Sequence, residues 1–335
     1  MNNEELKTEI KKLKEKLSVT IVAHFYQKDE VFDMADFSGD SLQLAQVASK
    51  DKNPYLIFCG VGFMGQSVKI LAPEKRVFMP KVACCAMAKM IDVDYFDNNV
   101  KILEQNDITK DDFIPITYIN SSAEVKARVG EYGGFVCTSS NAKKIIEKVL
   151  AKDKKVLFVP DRCLGQNVAI QMGLKSAVIG EDSDEKIKEA KIICYNGFCS
   201  VHQLFSLEDI EFYRKKFPNI LIASHPECKP EVCNNSDFVG STSQLIKFIT
   251  TLPKDQKVAV GTEFNMVNRL REKNTYILSS TKPECPTMNE TTLKDLYNTL
   301  KSIENKTFEN EIQVDKNVIK WAKVALDRMM EVKID

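Results

Sequence analysis

Short apolar runs alternate with amphipathic stretches along the chain. The apolar runs are "TIVAHFY", "YLIFCGV", "RVFMP", "IPITYIN", "GFVCTSS", "KVLFVPD", "KIICYNGFC", "ILIASHPE", "DFVGSTS", "KVAVGTE" and "TYILSST". Between them lie segments such as "DSLQLAQVASK", "NAKKIIEKVLAK", "LEDIEFYRKKF" and "STSQLIKFITTL", whose apolar residues recur at helical spacing. This alternation predicts βαβ units, with parallel sheets covered by helices. The strands are nearly all apolar, as expected when both faces are buried. The opening "MNNEELKTEIKKLKEKL" predicts a helix with Leu6, Ile10, Leu13 and Leu17 on one stripe. About eleven strands are too many for one small open sheet. Two architectures fit: an eight-unit barrel, or several small three-layer domains.

Two polar stretches are the best places to divide the chain. One is "MIDVDYFDNNVKILEQNDITKDD" (90–112), expected to carry a helix or two; the other is "GEDSDEKIKEAK" (180–191). They suggest three blocks: 1–88, 89–189 and 190–335. The C-terminal helices of the third could pack back on the first.

Composition narrows the function. Lys+Arg and Asp+Glu are both 47, which argues against an extended nucleic-acid surface. No apolar run is long enough to cross a bilayer, and the charged start lacks a signal-peptide core. A cytoplasmic protein is expected. The ten cysteines are then read as buried small hydrophobes, metal ligands or reactive thiols rather than disulfides. No CxxC, GxxxxGK[ST] or GxSxG occurs.

Candidate chemistry gathers at strand ends. His24 and His225 close two strands, and His202 lies in "FCSVHQLF". Tyr26, Asn120, Ser139, Asp161, Glu227, Ser241, Thr242 and Glu263 have similar placement. Ligands of α/β proteins bind outside the carboxyl ends of strands. Strand ends also turn polar simply because the chain leaves the core there. Several of these residues open helices, where Ser, Thr, Asn and Asp act as caps. Three such starts, one per block, could also form one anion pocket. Cys85, Cys199 and Cys285 each follow a strand, one near the end or edge of each block.

The blocks "AHFYQ", "ADFSGDSLQLA", "GVGFMGQSVKIL", "YINSSAEVKA", "CTSSNA", "PDRCLG", "NGFCSVHQ", "HPEC", "VGSTSQ" and "GTE" together resemble the quinolinate synthase family, in order, from about residue 20 to about 290. The resemblance implies three small αβα domains with parallel sheets around a pseudo-threefold axis, and an active site where they meet. It implies condensation of iminoaspartate with dihydroxyacetone phosphate to quinolinate, with loss of phosphate and two waters. It also implies one 4Fe–4S cluster, one iron left open as a Lewis acid, and a functional link to the enzyme that makes iminoaspartate. The implied cluster ligands are Cys85, Cys199 and Cys285. Cys85 is chosen over Cys84 because the family ligand stands two residues before the Met-Ala pair; this chain has alanine, Ala86, where the commoner "CPMA" has proline. Ser41, Ser139, Ser241, Thr242, His24 and His225 would bind carboxylates or phosphate, and Tyr118 and Asn120 would line the pocket. Tyr26 and Glu227 would transfer protons, Glu227 with a pKa raised by a dry cavity. His202 would orient the cluster ligands. The rival readings are a zinc hydrolase using the three histidines and a non-catalytic iron–sulfur sensor.

Overall fold

The computed structural model describes residues 1–332. It contains three separate open sheets in which every pair of adjacent strands is parallel. The barrel alternative is therefore excluded. The first sheet holds β1 (Val19–His24), β2 (Phe37–Gly39), β3 (Tyr55–Cys59) and β4 (Arg76–Phe78), in the order β2-β1-β3-β4. The second holds β5 (Phe113–Tyr118), β6 (Phe135–Cys137), β7 (Lys155–Val159), β8 (Ser176–Val178) and β9 (Ile192–Cys194), in the order β6-β5-β7-β9-β8. The third holds β10 (Leu221–Ser224), β11 (Phe238–Val239), β12 (Val258–Gly261) and β13 (Thr275–Ile277), in the order β11-β10-β12-β13. One winding is thus used three times, with β8 added at the edge of the second copy. Each copy is an α/β unit of the expected three-layer kind.

The central strands are buried on both faces, which is why they read as continuous apolar runs. The two strands without a matching run, β2 and β8, are three-residue edge strands. Phe37 and Ser38 of β2 are exposed, so no apolar run marks it. The polar stretch 180–191 lies inside the second copy, because it forms the exposed crossover Asp184–Glu189 between β8 and β9. The second sheet's last strand runs to Cys194 and the loop after it carries Cys199 and His202, so a division by sheets falls beyond that loop, past the expected edge at 189.

The termini tie the copies together. Helix Asn3–Leu17 buries Leu6, Ile10 and Leu13 against Leu293, Leu296, Leu300 and Ile303 of helix Leu293–Glu304. At about 1.5–3 kcal/mol per buried apolar side chain, this contact fixes the third segment on the first. Helix Lys316–Met330 packs instead on the second copy, against helix Ala123–Glu131 and β6. Among the described residues, no helix is long and apolar enough to cross a membrane.

Candidate active site

The carboxyl ends of the three sheets face one cavity of ≈ 70 Å³. The winding repeat explains which residues reach it, because equivalent loops place equivalent positions there. After the first strand of each copy come His24 and Tyr26, Tyr118 and Asn120, and His225 and Glu227, all six lining the cavity. The backbone N–H of Tyr26 donates to His24 Nδ1 (3.1 Å), and that of Glu227 donates to His225 Nδ1 (3.3 Å). Each ring therefore carries its proton on Nε2 when neutral. Burial lowers His24 to about 4 and His225 to about 3, so both are neutral single donors near pH 7.

The loop after the second strand opens a helix in each copy. Asp40 and Ser241 are the caps of helices Ser41–Lys50 and Thr242–Thr251, each boxed by a glutamine three residues on. Ser41, Ser139 and Thr242 line the cavity, whereas Ser241 does not. The Ser241 hydroxyl accepts the Gln244 N–H, so capping accounts for it. Asp40 joins all three helix starts. Its carboxylate accepts from Ser243 (2.6 Å) and Ser140 (3.3 Å).

The third loop fixes the cysteines. The N–H groups of Gly62, Arg162 and Phe264 donate to the carbonyls of Ala83 (2.8 Å), Gly197 (2.8 Å) and Pro283 (2.9 Å). Cys85, Cys199 and Cys285 stand two residues beyond those three carbonyls. Each then opens one helical turn, its carbonyl accepting from Lys89, Gln203 or Asn289, all at 3.2 Å. Backbone N–H groups of that turn point at each sulfur: Ala88 and Met87 for Cys85, His202 for Cys199, Met288 and Thr287 for Cys285. All three cysteines line the cavity, while Cys84 is exposed and does not. As bare thiols all three are pushed up by burial, Cys85 to about 12, and negative charge on their neighbours adds to the shift.

Two carboxyl groups brace this arrangement, and only their strand-end position hinted at them. Asp161 and Glu263 occupy the same cap position after β7 and β12, where the first copy has Val61. Asp161 accepts the backbone N–H of Cys199, and Glu263 Oε1 accepts that of Cys285 (3.4 Å). Burial raises Glu263 to about 8 and raises Asp161 well above the carboxylate range. The raised glutamate is thus Glu263 and not Glu227. Burial also pushes Glu227 up, but attraction to His202 and His225 and hydrogen bonds from His202 and Tyr118 outweigh it, leaving the carboxyl at about 2. His202 Nδ1 lies 2.8 Å from Glu227 Oε2 and 3.1 Å from Cys199 Sγ.

The histidines do not converge as a zinc site of three rings requires. His202 and His225 stack, with centroids 4.6 Å apart and planes at 24°. The donors close enough to share one ion are instead those of Cys199, His202 and Glu227. The turn "GVGFMG" (60–65) carries G-x-G-x-x-G spacing between β3 and a helix, which suggests dinucleotide binding. Its last glycine is explained by packing: a Cβ on Gly65 would lie 2.7 Å from Met79 Sδ. The acidic residue that would hold a ribose is missing, since β4 runs into Met79 and Pro80.

Three copies of one α/β winding, closed around a pocket of thiols, imidazoles, phenols and carboxyl groups, define an α/β protein of the enzyme class with its candidate active site at a three-way junction. The quinolinate synthetase A protein (NadA) family model matches residues 8–331, and the chain belongs to this family. It is 56% identical over 332 residues to the quinolinate synthase of Helicobacter pylori strain HPAG1, covering 98% of each chain. It is 40% identical over 348 aligned residues to that of Bacillus cytotoxicus, covering 99% of this chain and 94% of the relative.

Proposed function

We propose that this chain condenses iminoaspartate with dihydroxyacetone phosphate to give quinolinate, phosphate and two waters, with Cys85, Cys199 and Cys285 holding one 4Fe–4S cluster. The observation that carries this reading is the threefold equivalence of the cysteines, each two residues past the same carbonyl and each opening one turn toward a common cavity. The donor set fits the cluster. Three buried thiols become thiolates together only when a cationic group shares their pocket, and N–H groups already point at each sulfur. Soft thiolates suit iron–sulfur centres over hard cations. Bound by three cysteines, such a cluster keeps one iron free of protein ligands and supplies Lewis acidity toward a substrate oxygen or nitrogen.

The remaining chemistry belongs to side chains. Neutral His24 and His225 each offer one N–H to an anionic substrate group, and Ser41, Ser139 and Thr242 offer hydroxyls. Tyr118 and Asn120 complete the wall beside them. Glu227, ionised at neutral pH, accepts a proton during isomerisation, cyclisation or water loss. The Tyr26 phenol, kept protonated by burial, donates one. His202 spans Glu227 and Cys199 and orients both. The second reading, a single zinc ion on Cys199, His202 and Glu227, is favoured by the proximity of those donors. An oxygen-free turnover assay with both substrates decides. Quinolinate formation that is lost in each of the Cys85→Ser, Cys199→Ser and Cys285→Ser variants supports the cluster reading. Formation that survives Cys85→Ser and Cys285→Ser supports the zinc ion instead.

A further inference from the structure

Thr262 does not line the cavity, and its side chain has no exposed surface. Its hydroxyl nevertheless joins two groups that do. Thr262 Oγ1 lies 2.9 Å from the Tyr26 hydroxyl and 3.1 Å from His202 Nε2. Tyr26 in turn lies 3.0 Å from the Thr242 hydroxyl, and His202 Nδ1 lies 2.8 Å from Glu227. The series Thr242, Tyr26, Thr262, His202, Glu227 thus runs unbroken through all three copies.

The Thr262 hydroxyl serves both neighbours at once. A carboxylate has no hydrogen to give, so His202 Nδ1 carries the hydrogen that faces Glu227. The one Thr262 oxygen is the partner of both His202 Nε2 and the Tyr26 hydroxyl, and the Tyr26 oxygen also pairs with Thr242. The place of the Tyr26 hydroxyl and the orientation of the His202 ring are thus fixed together by one shared hydroxyl.

The turn itself has no need of that hydroxyl. The position before the cap of the third loop is Gly60 in the first copy, Pro160 in the second and Thr262 in the third. Gly60 and Pro160 build the same strand-to-helix turn without a side-chain hydrogen bond. The hydroxyl occurs only in the copy where Tyr26 and His202 meet.

We infer that Thr262 is a positioning residue for proton transfer, orienting the Tyr26 hydroxyl and the His202 ring so that Tyr26 and Glu227 act as one unit. This rests on the reading of Tyr26 and Glu227 as the proton-transfer pair. Thr262→Val keeps the shape of the side chain and removes the hydroxyl; Thr262→Ala removes it with a small residue, as the Gly60 turn tolerates; Thr262→Ser keeps the hydroxyl.

The test is steady-state kinetics of the holoenzyme variants under anaerobic conditions, with the visible absorbance of the cluster recorded for each. The expected result for Thr262→Val and Thr262→Ala is a fall in kcat of about 10²-fold, the scale of a misplaced catalytic group. KM and the absorbance should stay near wild type. Thr262→Ser should recover most of the loss. In the double variant with Tyr26→Phe, the combined loss should fall short of the product of the two single losses, because Thr262 acts in part through Tyr26. Wild-type kcat in Thr262→Val, no recovery in Thr262→Ser, or multiplying losses in the double variant would each overturn the inference. If Tyr26→Phe and Glu227→Gln both turn over at the wild-type rate, the proton-transfer reading fails and takes this inference with it. If those two are slow while Thr262→Val is not, only the role of Thr262 fails.

Discussion

Lys126 tests whether the loop beyond β5 is held by a buried charge. It lies on helix Ala123–Glu131 with no exposed surface. Its ammonium donates to the carbonyls of Ile119 (2.8 Å) and Ser121 and sits 5.4 Å from the centroid of Phe63. Those carbonyls flank Asn120, which lines the cavity. Burial lowers Lys126 from 10.5 to about 7. At 1.36 kcal/mol per unit, that corresponds to about 5 kcal/mol against the charged form. Two hydrogen bonds from a charged donor return about 1.5–3 kcal/mol each. The opposing effects nearly balance. Lys126→Met is therefore expected to change stability by no more than about 2 kcal/mol near pH 7, while loosening the loop and raising KM. The sign of the pH dependence follows from the lowered value. Between about pH 7 and 10.5 the unfolded chain holds more protons than the folded one. Wild-type stability should thus rise relative to Lys126→Met across that window, by up to about 1.4 kcal/mol per unit, and be lost again as pH falls toward 7. Urea melts of both proteins from about pH 6 to 9, with KM measured alongside, provide the check. A stability difference that does not move with pH would refute the reasoning, as would an unchanged KM.

Cys84→Ser should retain the visible absorbance and iron content that Cys85→Ser loses, since only Cys85 faces the cavity; the opposite result would reverse the assignment. Glu227→Gln should fold with its absorbance intact and lose about 10²–10⁴-fold in kcat, the usual share of a general base. Wild-type turnover would remove Glu227 from the mechanism. Gly197→Ala would put a Cβ 2.6 Å from the Pro160 carbonyl oxygen and push back the loop that carries Cys199. It should lower the melting temperature, by a cost of about 1–3 kcal/mol, and reduce iron per chain; normal loading would show that the close approach is not needed.

The strands that were legible in the sequence are those buried on both faces, where composition alone marks them. The exposed Phe37 and Ser38 of β2 gave no such mark, and the short β8 was equally silent. Most of the candidate site was readable because polar residues at strand ends converge once the strands are parallel. Ser241 failed that rule because its hydroxyl is spent within its own helix start. Asp161 and Glu263 showed in the sequence only as polar strand ends, and Asp40 only as part of a helix start; their second role, tying other copies or cysteine backbones, is tertiary. Thr262 carried no signal at all, since its partners lie 236 and 60 residues away in the chain. The raised carboxyl was assigned to Glu227 from burial alone, and two nearby imidazoles reversed the outcome.

The central claim is that Cys85, Cys199 and Cys285 hold one cluster together. Iron and acid-labile sulfide, assayed per chain in protein isolated without oxygen, test it most directly. The account predicts equal amounts of the two in the wild type and the loss of both in each of the three serine variants. Zinc in place of iron, or a full complement of iron and sulfide in any one of those variants, would contradict it.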